Sequence, residues 1–202
     1  MDRMIVGITG ATGTIYGRRV MELLRTVPGV EIHLVMSRSA KLTLKMEFDE
    51  GPESLMSLAH VVHDVGNMGA AISSGSFRCR GMIIAPCSIK TMSNVANGNT
   101  GDLISRAADV VLKEHRRLVL AVRETPLHAG HLETMAKLAH MGAVVFPPVP
   151  AFYNRPKTLM DIVDQSCMRM LDQFGYELEV APRWGEEDGV PAVGQKIEGG
   201  RS

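Results

Sequence analysis

Short, almost entirely apolar runs recur along the chain, and amphipathic stretches with helical periodicity separate them. MIVGIT, EIHLVM, GMIIA, LVLAV and AVVF are such runs. A strand without polar alternation is buried on both faces, which is typical of a parallel sheet covered by its crossover helices. The pattern therefore predicts an α/β fold with a doubly wound, mostly parallel sheet, Rossmann-like or flavodoxin-like, in three α/β/α layers.

The predicted elements follow from these runs and from the capping signals between them. Strands are expected at 4–9, 31–36, 81–85, 118–122 and 143–146, and helices at 14–27, 41–46, 50–58, 88–97, 102–114, 130–141 and 158–174. Residues 1–184 are predicted to form a single domain, because no linker divides them. Residues 185–202 are glycine-rich and charged, which predicts a mobile tail.

Charge balance and cysteine content argue against several classes of protein. The 22 basic residues match the 22 acidic ones, so neither nucleic-acid nor membrane binding is indicated. Cys79, Cys87 and Cys167 form no CxxC pair, which argues against a disulfide framework and fits a reducing, cytoplasmic location. His128 and His131 lack a third ligand at suitable spacing, so no metal site is predicted. No apolar segment approaches the roughly 20 residues of a membrane helix.

Polar or glycine-rich segments follow each predicted strand. In an open α/β sheet, ligands bind beyond the carboxyl ends of the strands, so these segments predict a site at one rim. The first segment, GITGATG, has GxxGxxG spacing rather than GxGxxG, and no acidic residue ends the second strand. This favours a single phosphate, as on FMN, over NAD. A structural turn without a ligand remains the alternative.

Several long segments resemble the UbiX-type flavin prenyltransferase family, within the wider superfamily of flavin-containing cysteine decarboxylases. They include GITGATGTIYG, LVMSRSAKLT, SSGSF, APCSIKTMSNVANG, ISRAADVVLKEHRRLVLAVRETPLHAGHLETM, GAVVFPPVPAFYN and RWGE. The resemblance implies an enzyme that attaches the dimethylallyl group of dimethylallyl phosphate to N5 and C6 of reduced FMN without a metal. It also implies that a UbiD-type decarboxylase receives the product, prenyl-FMN, and that the protein is a homododecamer with active sites between subunits.

The resemblance also implies which residues do the work. The FMN-binding positions are Gly10, Ala11, Thr12, Ser37, Ser88, Ile89, Lys90, Thr91 and Arg123. The positions linked to the prenyl phosphate are Arg106, Lys113, Tyr153 and Arg169, with Trp184 packing over the site. The catalytic positions are Glu124 as the acid–base group, Glu47 as a second acidic residue, Thr12, where many relatives have serine, and Ser74, which shares a loop near the reacting face with Ser76.

The residues are compatible with this chemistry on physical grounds. A phosphate that leaves without a metal must be held by arginine, lysine and hydroxyl groups. Arg106 and Lys113 are seven residues apart on a predicted helix, so they share a face. Cys87 is expected to be a small buried residue rather than a nucleophile. Two alternatives remain at this stage: a flavin-dependent cysteine decarboxylase, and a non-catalytic FMN-binding subunit of an aromatic-acid decarboxylase.

Overall fold

The computed structural model describes residues 2–185, in which six parallel strands form one sheet of order β3-β2-β1-β4-β5-β6. The strands are β1 (Asp2–Ile8), β2 (Val30–Met36), β3 (Val61–His63), β4 (Gly81–Cys87), β5 (Arg117–Val122) and β6 (Val144–Val145). The helices are α1 (Thr14–Thr26), α2 (Arg38–Phe48), α3 (Glu53–Met56), α4 (Ile89–Ala96), α5 (Leu103–Lys113), α6 (Ala129–His140) and α7 (Leu159–Asp172). The predicted tail, 185–202, lies outside the described residues apart from Gly185.

Two hydrophobic cores lie on opposite faces of the sheet. Successive side chains of a strand point to opposite faces, so Met4, Val6 and Ile8 of β1 face one core while Ile5 faces the other. Helices α1, α2 and α7 contribute buried residues to the first core, and helices α4, α5 and α6 to the second. The predicted three-layer α/β/α fold is confirmed.

The structure differs from the predicted elements at the edge of the sheet. Strand β3 was not predicted, because its three residues end in a histidine and lack the apolar run of a buried strand. The helix predicted at 50–58 is a single turn, Glu53–Met56. Strand β4 continues through Pro86 to Cys87, and its register against β5 shifts between Ile84 and Cys87. A proline is tolerated there because such an irregularity does not need its N–H group.

Serine side chains begin two of the helices that follow the strands. The Ser37 hydroxyl accepts a hydrogen bond from the Ala40 N–H group at 3.0 Å, and Ser88 accepts one from the Thr91 N–H group at 3.4 Å. These N-terminal caps fix the starts of α2 and α4 just beyond β2 and β4. Among the helices within residues 2–185, none combines the length and the apolar character needed to cross a membrane.

Candidate functional site

The segment after β1 is joined directly to the segment after β4. The Thr9 hydroxyl donates to the Pro86 carbonyl oxygen at 2.7 Å and accepts from the Ser88 N–H group at 2.8 Å. The Thr9 N–H group also donates to the Pro86 carbonyl, at 3.2 Å. This places the predicted FMN-binding residues Gly10, Ala11 and Thr12 at the same rim as the start of α4.

Two further backbone bonds bring the neighbouring segments to this rim. The Ser37 N–H group donates to the Ile8 carbonyl at 2.9 Å, and the Arg123 N–H group donates to the Cys87 carbonyl at 3.1 Å. The ends of β1, β2, β4 and β5 thus carry all of the residues that the sequence predicts for FMN binding. They are Gly10, Ala11, Thr12, Ser37, Ser88, Ile89, Lys90, Thr91 and Arg123.

Gly10 lies against the first turn of α2. A Cβ atom at this position would approach Ser39 Cβ more closely than real Cβ atoms do. Gly13 has φ of 97°, a left-handed conformation that favours glycine. Helix packing and backbone conformation therefore already account for these two glycines, without any ligand beside them.

Glu47, near the end of α2, places its carboxylate at the N-terminus of α1. Its carboxylate accepts from the Gly13 N–H group at 2.6 Å, from the Thr14 N–H group at 2.8 Å and from the Thr14 hydroxyl at 2.6 Å, and the Thr12 hydroxyl donates to it as well. Burial raises the pKa of Glu47, but these hydrogen bonds together outweigh it and hold the pKa below its usual value. Glu47 is therefore an ionised cap at the positive end of the helix dipole.

This contact corrects one expectation about the glycine-rich segment. The sequence predicts a phosphate at this segment, but in the structure Glu47 accepts from the Gly13 and Thr14 N–H groups at the start of α1. The helix N-terminus still holds an anion, which is supplied by the protein itself. A phosphate at this rim must then use other donors, and α4 begins nearby with Ile89 and Lys90 in its first turn.

One group of cationic side chains surrounds the loop at 73–77. Arg106 Nε donates to the Ser73 carbonyl at 3.2 Å, and Lys113 Nζ lies 2.7 Å from the position that a Gly75 Cβ atom would take. The Ser74 and Ser76 hydroxyl oxygens are 2.9 Å apart, within hydrogen-bond distance. The prediction that Arg106 and Lys113 share a helix face is confirmed, since both border this loop.

Arg116 holds the same loop, although the sequence analysis did not identify it. Its guanidinium donates to the Gly75 carbonyl at 2.9 Å and to the Phe77 carbonyl at 2.6 Å. The pairs Arg106–Asp109 and Lys113–Glu114 fix the other two cations locally. Arg106 and Arg116 thus hold the loop that carries Ser74 and Ser76, and Phe77 packs it against the core.

A second group lines a cavity of about 280 Å³ beside α7. Tyr153, Arg169 and Trp184 meet there, together with Met168, Pro182 and Arg183. The Tyr153 and Trp184 rings are in edge contact, with centroids 5.5 Å apart and planes at 88°. Three of the five residues predicted for the prenyl phosphate are therefore brought together within one chain.

Asp172 fixes the two arginines of this cavity. Its carboxylate accepts from Arg183 at 2.9 and 2.7 Å, in a bidentate pair, and from Arg169 at 3.2 Å. Arg183 was not identified from the sequence, although it directly precedes Trp184 in RWGE. One carboxylate therefore contacts both guanidiniums of this cavity.

The two cationic groups lie on opposite faces of the sheet. Arg106 and Lys113 belong to α5, which packs on the core formed with α4 and α6, whereas Arg169 belongs to α7, which packs on the core formed with α1. Within one chain the structure therefore does not unite the four positions linked to the prenyl phosphate. They form two separate half-sites, one with Arg106 and Lys113 and the other with Tyr153 and Arg169.

The remaining candidates lie near the end of β5 or at its neighbours. Glu124 is exposed, and its carboxylate accepts from the Thr125 N–H group at 3.0 Å. Cys87 is fully buried, and burial raises the pKa of its thiol to about 12, so it is not a nucleophile at neutral pH. The His128 and His131 rings stack with centroids 3.6 Å apart, and no metal-binding group of three was found within residues 2–185.

Comparisons with known proteins agree on one family. The model of the Flavoprotein family matches residues 1–171. The flavin prenyltransferase UbiX of Escherichia coli (strain K12) is 53% identical over 186 residues, covering 91% of this chain and 98% of the relative. The UbiX of Thauera aromatica is 56% identical over 182 residues, covering 90% and 93%.

Solved structures support the same assignment. AnUbiX in complex with FMN and dimethylallyl pyrophosphate has a TM-score of 0.85 at 50% identity, covering 87% of this chain and 93% of that one. A dodecameric FMN-dependent UbiX-like decarboxylase from Escherichia coli O157:H7 has a TM-score of 0.88 at 49% identity, covering 90% and 98%. The FMN-dependent cysteine decarboxylase TvaF shares the fold, with a TM-score of 0.61, but only 14% identity.

Proposed function

Since this chain belongs to the UbiX-type flavin prenyltransferases of the Flavoprotein family, we propose that it joins the dimethylallyl group of dimethylallyl phosphate to N5 and C6 of reduced FMN. The product is prenyl-FMN, and phosphate leaves. The observation that carries this proposal is a polar strand-end rim accompanied by two cationic half-sites. A cysteine decarboxylase or a simple FMN carrier needs the rim but has no use for a second phosphate site.

FMN, the prenyl acceptor, is proposed to lie along the rim formed by the ends of β1, β2, β4 and β5. Ser37 and the segment from Ser88 to Thr91 begin α2 and α4 there, where backbone N–H groups and the helix dipole favour a phosphate. The Arg123 side chain is exposed at the end of β5 and is proposed to supply a positive charge to the same ligand.

The prenyl phosphate is proposed to bind between subunits. Because α5 and α7 lie on opposite sheet faces, we assign Arg106 and Lys113 to one subunit and Tyr153 and Arg169 to a neighbour. A dodecameric relative supports an oligomer of this kind. As the C–O bond to phosphate breaks, arginine and lysine stabilise the charge on the leaving oxygen, and Trp184 shields the allyl group from water.

Ring closure joins flavin C6 to the substituted carbon of the dimethylallyl double bond, whose other carbon takes up a proton, and C6 then loses its own proton. Glu124 is proposed to accept this proton, because its exposed carboxylate follows β5 directly at the rim. Glu47 is ionised and saturated with donors, so its proposed role is to hold the Thr12 hydroxyl in place beside the flavin. Ser74 is proposed to contribute its hydroxyl from the loop held by Arg106 and Arg116.

One experiment tests the activity directly. The protein is incubated anaerobically with reduced FMN and dimethylallyl phosphate, and the mass of the flavin is measured by mass spectrometry. An added five-carbon unit is expected, and it should be absent when dimethylallyl phosphate is omitted. A flavin of unchanged mass, under conditions in which FMN binds, would contradict the proposal.

The cytoplasm is proposed as the location of the protein. Free thiols at Cys79, Cys87 and Cys167 support a reducing compartment.

A UbiD-type decarboxylase is proposed as the recipient of the product. The recipient is tested by mixing the prenylated product with a purified UbiD-type apoenzyme. Decarboxylase activity is expected to appear only with product from the complete reaction, and not with FMN alone.

A further inference from the structure

Gln165 and Tyr153 link helix α7 to the loop at 147–156. Gln165 lies in the middle of α7 and is only 7% exposed, whereas Tyr153 is 42% exposed. Gln165 Nε2 donates to the Tyr153 hydroxyl oxygen at 3.2 Å. A buried amide thus holds the polar end of an aromatic residue whose ring lines the cationic cavity beside Arg169.

The structure places the amide nitrogen of Gln165, rather than its oxygen, against the Tyr153 hydroxyl. An amide nitrogen only donates, and a phenol carries a single hydrogen and two lone pairs. The Tyr153 oxygen is therefore the acceptor, and its own hydrogen is not used in this bond. Among residues 2–185, no acceptor for that hydrogen was found. The amide takes one side of the oxygen, so the hydrogen is directed away from Gln165.

We infer that Gln165 is a positioning residue that directs the Tyr153 O–H group toward the leaving phosphate. The inference rests on the proposed function, in which the cavity of Tyr153, Arg169, Arg183 and Trp184 receives the prenyl phosphate. When the C–O bond breaks, its electron pair stays on the phosphate oxygen. A donor that is oriented in advance stabilises this charge without reorganisation.

Burial of the amide makes this orientation permanent. Gln165 is only 7% exposed, so its amide has little room to adopt another orientation. Water at the same position would donate or accept equally well and would leave the O–H group free to turn. The buried glutamine therefore supplies a fixed direction, which neither Arg169 nor Trp184 provides to this hydroxyl.

Two substitutions test the inference in opposite ways. Gln165→Met removes the donor and keeps the volume, while Gln165→Glu replaces it with a carboxylate that accepts the Tyr153 hydrogen and turns it away from the cavity. We expect kcat to fall roughly tenfold to hundredfold for Met and further for Glu. FMN affinity should be unchanged in both variants, because none of the proposed FMN-binding residues is among those that line this cavity.

Binding of the phosphate is measured separately from turnover. Trp184 is the only tryptophan of the chain and touches the Tyr153 ring, so its fluorescence reports on this cavity. Titration of dimethylallyl phosphate with oxidised FMN present gives a dissociation constant without reaction. Gln165→Glu should weaken this binding at least tenfold. Asn67→Asp is the control, with the same amide-to-carboxylate change on an exposed turn that does not line this cavity; the aspartate keeps the hydrogen bond from the Gly69 N–H group, and the variant should bind normally.

A double-mutant cycle separates positioning from a merely structural role. In a Tyr153→Phe background there is no O–H group to direct, so Gln165→Met should cause no further loss of kcat. If the losses of the two single variants multiply, or if Gln165→Met alone keeps full activity, the inference is wrong while the proposed function stands. A wild-type protein that leaves the flavin unchanged would overturn the proposed function and this inference with it.

Discussion

Glu47 accepts two hydrogen bonds from Thr14, one from the backbone N–H group at 2.8 Å and one from the hydroxyl at 2.6 Å. Glu47 lies near the end of α2, and Thr14 is the first residue of α1. The pair therefore connects two helices that follow neighbouring strands. Because the carboxylate also holds Thr12, the geometry of the predicted flavin rim depends on this helix contact.

Glu47→Gln should destabilise the protein and reduce its acid sensitivity. The NH2 group of glutamine would face donors that now hydrogen-bond to a carboxylate oxygen of Glu47. These donors would lose their acceptor, which lowers the free energy of unfolding by about 1–3 kcal/mol at neutral pH. The pKa of Glu47 is lowered in the fold, so its contribution is present above its usual pKa, about 4.3, and is lost as pH falls through the folded value. Urea unfolding at pH 7 and at pH 4 should show the gap between the two proteins narrowing in acid.

Glu133→Gln is the control for this substitution, because Glu133 is exposed on α6 and no hydrogen bond of its side chain was found within residues 2–185. Its free energy of unfolding should stay within about 0.5 kcal/mol of the wild type at both pH values. A Glu47→Gln protein as stable as this control at pH 7 would contradict the proposed capping role.

Gly10→Ala should shift α2 and destabilise the fold. The new Cβ atom would overlap Ser39 Cβ, which cannot rotate away because it belongs to the backbone-attached part of its side chain. Overpacking of this kind costs about 1–3 kcal/mol. Gly101→Ala is the matched control, since its nearest neighbour would lie 3.7 Å away. Thermal unfolding of both variants checks the difference, and equal melting temperatures would remove the packing argument for Gly10.

The sequence predicted the sheet well because its strands are buried on both faces. Runs such as LVLAV have no polar alternation, so their parallel arrangement and their covering helices follow from the pattern. Strand β3 was not predicted, because an edge strand of three residues needs no apolar run. Its place is set by pairing with β2 through His33, Leu34 and Val35, a long-range contact that local periodicity does not contain.

The site was predictable in part, and the limit is again long-range contact. Strand ends are visible in the sequence, so the rim residues Ser37, Ser88 and Arg123 were expected together. The partners that hold side chains in place, such as Asp172 for Arg183, lie on different elements and carry no spacing signal. Glu47 was expected to be a second acidic residue of the catalytic site, and only the contacts with Gly13 and Thr14 in the folded chain show that it caps α1.

Mixed oligomers should recover activity if the prenyl phosphate binds between subunits. Arg106→Ala and Arg169→Ala each remove one half-site, so each variant alone should be nearly inactive. Co-expression with two different affinity tags, followed by tandem purification, yields mixed particles in which about one quarter of the sites hold both arginines. Prenyl-FMN formation near that fraction of the wild-type rate is expected. Mixed particles no more active than the parents would indicate that one subunit supplies both residues.

Glu124→Gln should retain FMN but stall ring closure at flavin C6. Glutamine has nearly the same shape but cannot accept the proton released at flavin C6, so turnover should fall by about 10²–10⁴-fold. The Glu124 side chain is exposed, so the fold should be unaffected. Flavin fluorescence quenching measures binding, and chromatography with detection of flavin absorbance separates the ring-closed product from the N5 adduct, which has the same mass. Glu177→Gln, at another exposed glutamate, should keep full activity. Normal turnover in Glu124→Gln would remove Glu124 from the mechanism.

Asp172→Asn should weaken the prenyl phosphate site while leaving the flavin site intact. The asparagine keeps one acceptor oxygen but loses the charge that holds Arg183 in a bidentate pair and Arg169 beside it. Both guanidiniums then sample other positions, so KM for dimethylallyl phosphate should rise roughly tenfold. The Asp172 side chain is only 18% exposed, so a loss of about 1–3 kcal/mol in stability should accompany this change.

Asp49→Asn is the control for this substitution, because Asp49 is exposed and its left-handed backbone conformation is one that asparagine tolerates. Steady-state kinetics and FMN titration separate the two sites: a loss of FMN affinity equal to the rise in KM would mean that Asp172 supports the fold as a whole rather than the two arginines.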